Sequence, residues 1–141
     1  MKLSEAIDQQ RGDLLAASCP SREVLKHLTS RWGVLVLMVL RNGPHRFSAI
    51  RRQIGGVSER MLAQTLQWLE ADSMVLRRDF RTVPPHVEYS LTPLGQQAAT
   101  HVTALADWIE ESLPRIVQGW PDAPADPPAG DQDHGAAPPV A

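Results

Sequence analysis

The chain has 141 residues, enough for one domain with a real core, and 43% of them are hydrophobic, as in a globular protein. The formal net charge of −2 excludes no partner by itself, but it is unevenly spread: residues 22–81 carry 11 basic against 5 acidic side chains, the distribution of a nucleic-acid surface. The single cysteine, Cys19, excludes an internal disulfide framework, the five histidines lack ligand spacing, and MKLSEAIDQQRGD is too polar for a signal peptide.

Residues 1–18 are weakly patterned and read as an N-terminal arm or short helix. Cys19-Pro20 ends that segment. Ser21 is placed to cap a helix from Arg22 to about Ser30, with Val24, Leu25 and Leu28 facing inward. Arg31 to Arg41 is apolar nearly all round, which predicts a fully buried helix with Trp32 in the core. Its apolar run, Val34 to Leu40, is far shorter than the roughly 20 residues that span a bilayer, so no membrane partner is expected. Asn42-Gly43-Pro44 stops this helix.

Phe47, Ile50 and Ile54 mark one face of a short helix, which Gly55-Gly56 breaks. Ser58 then caps a second helix, with Val57 placed to pack onto Leu62. Leu62, Leu66 and Leu69 recur at helical spacing, and the helix ends near Ser73. Two helices joined by a short turn with glycine make a helix-turn-helix, although an αα-hairpin used only for packing has the same pattern. Val87, Tyr89 and Leu91 alternate with polar residues, as a half-buried strand requires, and Val75 to Phe80 is its partner. Pro84-Pro85 belongs in the connection, because proline donates no ladder hydrogen bond. Thr92-Pro93 starts the last helix, to about Val117. Ala98, Val102, Leu105, Ile109, Leu113 and Ile116 form its apolar stripe, and Pro114 is a place for a kink. From Gly119 onward there are four aspartates, no Lys or Arg and six of the twelve prolines. Residues 119–141 therefore read as a disordered tail.

Helix, turn, helix, two-stranded hairpin, helix is the order of a winged helix. The expected fold is mainly α with a small β-hairpin. Residues 19–118 form the winged helix-turn-helix domain and include a C-terminal dimerisation helix. A terminal helix this long leaves apolar surface for a second copy, so Leu105, Trp108, Ile109 and Leu113 are the dimer-interface candidates; for Trp108 a core position stays open, and for both Trp108 and Trp32 a place lining a ligand cavity.

With the three leucines inward, α-helical geometry turns Arg60, Gln64 and Gln67 outward, with Met61 and Thr65 at the borders. These five are the base-reading candidates, since Arg pairs bidentately with guanine and Gln with adenine. Ser48, Arg51, Arg52, Ser58, Arg77, Arg78, Arg81 and His86 suit backbone and wing contacts, which position without specifying sequence. Some of these are expected to be plain surface charge.

The motifs together resemble the HxlR family of bacterial winged-helix regulators, relatives of the MarR type. The matching residues are Cys19-Pro20, Arg31-Trp32, NGPHRFSAIRRQIGGVSERMLAQTLQWLE and VPPHVEYSLTPLG, within about residues 19–110. Two departures stand out. Ser73 occupies a place where the family usually has glycine, and Arg31 one where lysine is common. The resemblance implies a cytoplasmic, nucleoid-associated homodimer that binds double-stranded operator DNA, without catalysis or cofactor, most simply as a repressor. Within the family some members sense oxidants or electrophiles through a cysteine at the position of Cys19 and others do not, so the resemblance leaves open an oxidant or electrophile effector, a small-molecule effector, or no thiol sensing.

Two readings of Cys19 stay open. Free cysteine is among the most buried and inert residue types. Against that, Pro20 and Ser21 place the thiol just upstream of a helix N-terminus, with Arg22 near in sequence, where thiolate is favoured. The alternatives at the level of function are a ligand-responsive regulator without thiol sensing and a winged helix that binds only protein. The arginines at 51, 52, 77, 78 and 81 speak against the last. No nucleophile-base pair, phosphate loop, metal-ligand set or paired carboxylates point to an enzyme.

Overall fold

The computed structural model describes residues 11–121; the expectations for residues 1–10 and for 122–141 lie outside the described residues. Among the described residues, five helices and one hairpin follow in order: α1 (Ser21–Leu28), α2 (Arg31–Leu40), α3 (Phe47–Gln53), α4 (Glu59–Ala71), β1 (Val75–Asp79), β2 (Val87–Leu91) and α5 (Pro93–Gln118). Residues 11–18 form turns rather than a helix.

Three helix starts are built as their residue types dictate. The hydroxyls of Ser30, Ser58 and Thr92 accept the N–H groups of Gly33, Met61 and Gly95, satisfying orphan donors of the first turn. The expected cap of α1 is not made. Pro20 holds the cap position without a side-chain bond, and Ser21 is the first helical residue. Its hydroxyl points back to the Cys19 sulfur instead.

The core is built around one side of α2, where Trp32, Val36, Leu37 and Leu40 are buried against Ile50, Leu62, Leu66, Leu69, Val75, Ala99 and Val102. The expectation of burial all round α2 is corrected, because Val34, Leu35, Met38 and Val39 stay half-buried on the other side. On α1, Val24 and Leu28 pack against the core, but Leu25 is 44% exposed and not inward as expected. A helix lying on the rim of a domain covers a narrower stripe than three apolar residues suggest.

The hairpin is antiparallel, with Val75 opposite Leu91, Arg77 opposite Tyr89 and Asp79 opposite Val87. His45 adds one further bridge, exchanging both backbone hydrogen bonds with Tyr89 at 2.9 and 2.8 Å. The wing base is thereby sewn to the loop that opens the helix-turn-helix. Ser73 leaves α4 with φ +64, so the left-handed exit that favours glycine is kept by a serine. Directly beside it, a side chain on Gly95 would run into the Met74 carbonyl, so α5 can approach the base of the wing only with glycine there. α5 runs helically through Pro114. Among the described residues, no helix is long and apolar enough to cross a membrane.

Candidate nucleic-acid interface

The turn between α3 and α4 reverses at Gly56, whose φ of +86 suits glycine. It leaves an open groove of about 640 Å³ lined by Ser48, Arg51, Arg52, Gly55, Gly56 and Ser58 among others. The buried side of α4 consists of Met61, Leu62, Thr65, Leu66 and Leu69. On the opposite side Arg60 and Gln67 are exposed and Gln64 is half-buried. These three share one face, as the helical spacing predicts.

Met61 and Thr65 must be removed from the base-reading set. Met61 is 9% and Thr65 1% exposed, and the Thr65 hydroxyl donates to the Met61 carbonyl at 2.7 Å. Residues four apart lie one above the other, so the two form a buried column beside the leucines. The covered arc of α4 is wider than the leucine stripe alone implies, and α1, α2 and β1 all pack on this helix.

The arginines divide by what they hold. Arg51 is tied into the turn: its guanidinium donates to the Val57 carbonyl at 3.3 Å and to Glu59 Oε1 at 3.4 Å. Arg52 and Ser48 are exposed on α3 and make no ion pair among the described residues. Ser58 spends an oxygen lone pair on its cap but keeps an O–H to donate. On the wing, Arg77 and Arg78 are both exposed, yet the pleat sends them to opposite faces. Arg77 shares the face of Val75 and Tyr89. Arg78 lies opposite Glu88, its guanidinium 4.3 Å over the Phe80 ring. Phe80 in turn meets the His86 ring edge-on at 4.6 Å, and His86 Nε2 lies 2.7 Å from Glu88 Oε2. His86 is thus engaged within the wing and is a weaker backbone candidate than its position suggests. Arg81 sits at the tip in a left-handed conformation, φ +55, its N–H held by Asp79 Oδ1 at 2.8 Å.

One arginine was missed. Arg46 donates to the Pro85 carbonyl at 3.0 Å and so ties the wing connection to the start of α3. It lies in a connection between elements, where periodicity carries no signal.

At the other end of the chain, the Cys19 sulfur is half-exposed and accepts two hydrogen bonds, from the Ser21 hydroxyl at 3.0 Å and the Asp13 N–H at 3.3 Å. The Ser21 hydroxyl bond, followed by the backbone N–H donors of Asp13 and Ser21, holds the thiol below its ordinary pKa, against smaller opposing effects of desolvation and then of the Asp13 charge. Arg22, expected to act near the thiol, spends its guanidinium on the carbonyls of Leu14 and Leu15 at 2.9 and 3.1 Å. On α5, Leu105, Trp108, Ile109 and Leu113 are 52%, 56%, 43% and 46% exposed, a large apolar face on a single chain.

Comparison with known proteins places this geometry. A sequence model described as HxlR-like helix-turn-helix matches residues 27–117. The HTH-type transcriptional regulator YtfH of Escherichia coli (strain K12) is 64% identical over 108 residues, covering 77% of this chain and 86% of that protein. A solved structure named for the transcriptional regulator YtfH of Salmonella typhimurium superposes with a TM-score of 0.74 at 63% identity, over 77% of this chain and 96% of that one. The redox regulator HypR in its reduced form is 31% identical with a TM-score of 0.64, over 70% of this chain and 98% of that one.

Proposed function

The chain belongs to the HxlR-like helix-turn-helix family of transcriptional regulators, and on that premise we propose how it reads DNA and what it answers to. It acts as a cytoplasmic homodimer without catalytic activity, most simply a repressor, that places α4 of each copy in the major groove. Arg60, Gln64 and Gln67 read base edges. Ser48, Arg52 and Ser58 hold phosphates beside the α3–α4 groove, and Arg77, Arg78 and Arg81 hold the backbone from the wing. The observation that carries this reading is the outward face of α4, with one arginine and two glutamines beside a groove lined by two more arginines.

The apolar face of α5 is the surface on which a second copy would pack. The dimer would then meet two half-sites about one helical turn apart, roughly 34–36 Å. Selection of bound sequences from random duplex DNA, with sedimentation of the free protein and of the complex, tests both points. A monomer at micromolar concentration, or recovery of no preferred sequence, would end the reading.

The second part of the proposal is an oxidant or electrophile response through Cys19. The two hydrogen bonds donated to its sulfur favour the thiolate, which is the reactive form. HypR, a structural relative, is described as a redox regulator. Peroxide or a quinone should change DNA affinity in the wild type and leave Cys19→Ser unaffected.

A further inference from the structure

His27 and Asp72 lie 45 residues apart and meet across two helices. Nδ1 of His27 donates to Asp72 Oδ2 at 2.6 Å, and the side chains are only 12% and 14% exposed. The His27 ring also stacks on Trp68, with centroids 5.0 Å apart and planes 11° from parallel. Trp68 is half-buried in the last turns of α4 and Asp72 is its C-terminal cap, so His27 grips the exit of that helix from α1. The backbone of His27 is held equally firmly. Its carbonyl accepts the Ser30 hydroxyl at 2.9 Å and lies so close to Gly33 that no side chain fits there. On its outer side, Glu23 Oε1 is 3.9 Å from Nε2.

α1 itself buries no residue fully. The coupling of α1 to α4 therefore runs through the part-buried contacts it does make, of which His27 with Asp72 and Trp68 is one. At about 1.5 Å per residue, Arg60 lies some 18 Å along α4 from Asp72, so a tilt of about 10° at the exit moves Arg60 by about 3 Å. Base-edge hydrogen bonds fail over a displacement of that size. Phosphate attraction, which falls off far more gently, would largely persist.

We infer that the His27–Asp72 contact, with Trp68 stacked beneath the ring, is a positioning link that fixes the tilt of α4 and thereby sets site-specific DNA affinity. The inference rests on the proposed role of α4 as the base-reading helix. His27 itself touches no DNA.

The experiment is a double-mutant cycle in the full chain: His27→Ala, Asp72→Ala and both together, with His27→Gln as a rescue that keeps an N–H donor. Affinity is measured for the selected operator and for random duplex DNA, together with thermal melting. Each single substitution should lower operator affinity roughly 5- to 50-fold, the double no further than the single, with random-DNA affinity unchanged. His27→Gln should recover part of the loss. Should His27→Ala fail to fold, Asp72→Asn gives the same reading with a smaller change. A melting shift with unchanged operator affinity in the folded protein, or losses that simply add, would overturn the link while leaving the functional reading intact. Absence of any selected operator in the wild type, or an Arg60→Ala variant with unaltered preference, would instead remove the reading on which it rests.

Discussion

The Thr92 hydroxyl donates to the Ser73 carbonyl at 2.6 Å, which fastens the start of α5 to the exit of α4. The same oxygen accepts the Gly95 N–H at 2.9 Å, and the Thr92 N–H donates to the Met74 carbonyl at 3.0 Å. The cap of the proposed dimer helix, the left-handed exit of the proposed reading helix and the base of the wing are therefore one hydrogen-bonded unit.

Two substitutions at this junction should act in opposite directions. Ser73→Gly removes the Cβ penalty of a φ of +64 and should raise stability by about 0.5–1 kcal/mol. Gly95→Ala drives a methyl into the Met74 backbone and should cost about 2 kcal/mol or more. Denaturant unfolding of both variants against wild type checks the pair, and equal effects would show that the junction relaxes easily.

Burial separates stability from readout along α4. Met61→Ala should cost about 2–4 kcal/mol and leave the preferred DNA sequence unchanged, because the side chain lies in the core. Arg60→Ala and Gln64→Ala should alter stability by no more than about 0.5 kcal/mol, yet cost about 1–3 kcal/mol at the preferred site and relax particular bases. Melting curves and sequence selection on the same three proteins distinguish the two classes.

Phosphate contacts have a different signature. Arg52→Ala and Arg78→Ala should weaken binding to all sequences alike, each lowering the slope of log affinity against log salt by about 1. Arg51→Ala should change the slope less, since its guanidinium is already committed to Val57 and Glu59. A salt titration of the three variants orders them.

The hydrogen bonds at Cys19 make its reactivity depend on Ser21. Because the folded-state pKa is lowered, thiolate persists at lower pH in the native protein than in the unfolded chain. Any stability gained from this is present above the unfolded-state pKa and lost as pH falls through the lowered value. The pH profile of alkylation should therefore inflect below that of the unfolded protein, and Ser21→Ala should move the inflection upward. Identical profiles for wild type and Ser21→Ala would show that the hydroxyl does not tune the thiol.

Much of this architecture is written in short-range signals. The caps at Ser58 and Thr92, the leucine face of α4, the prolines between the strands and the alternation of Val87, Tyr89 and Leu91 are each decided within a few residues. A helix period or a capping hydroxyl needs no distant partner to be recognised. What tertiary structure alone decided is which neighbour covers each border position. Met61 and Thr65 stand at the edge of the leucine stripe, and only the packing of several elements around α4 places them inside. Leu25 has the apolar type and spacing of a core residue, but α1 lies too far onto the rim to bury it. Ser21 could cap a helix, yet the chain turns so that its hydroxyl serves Cys19. The pairings of Arg46 with Pro85 and His27 with Asp72 join residues 39 and 45 positions apart. Their formation depends on the orientation of whole elements, which no local pattern of residues encodes.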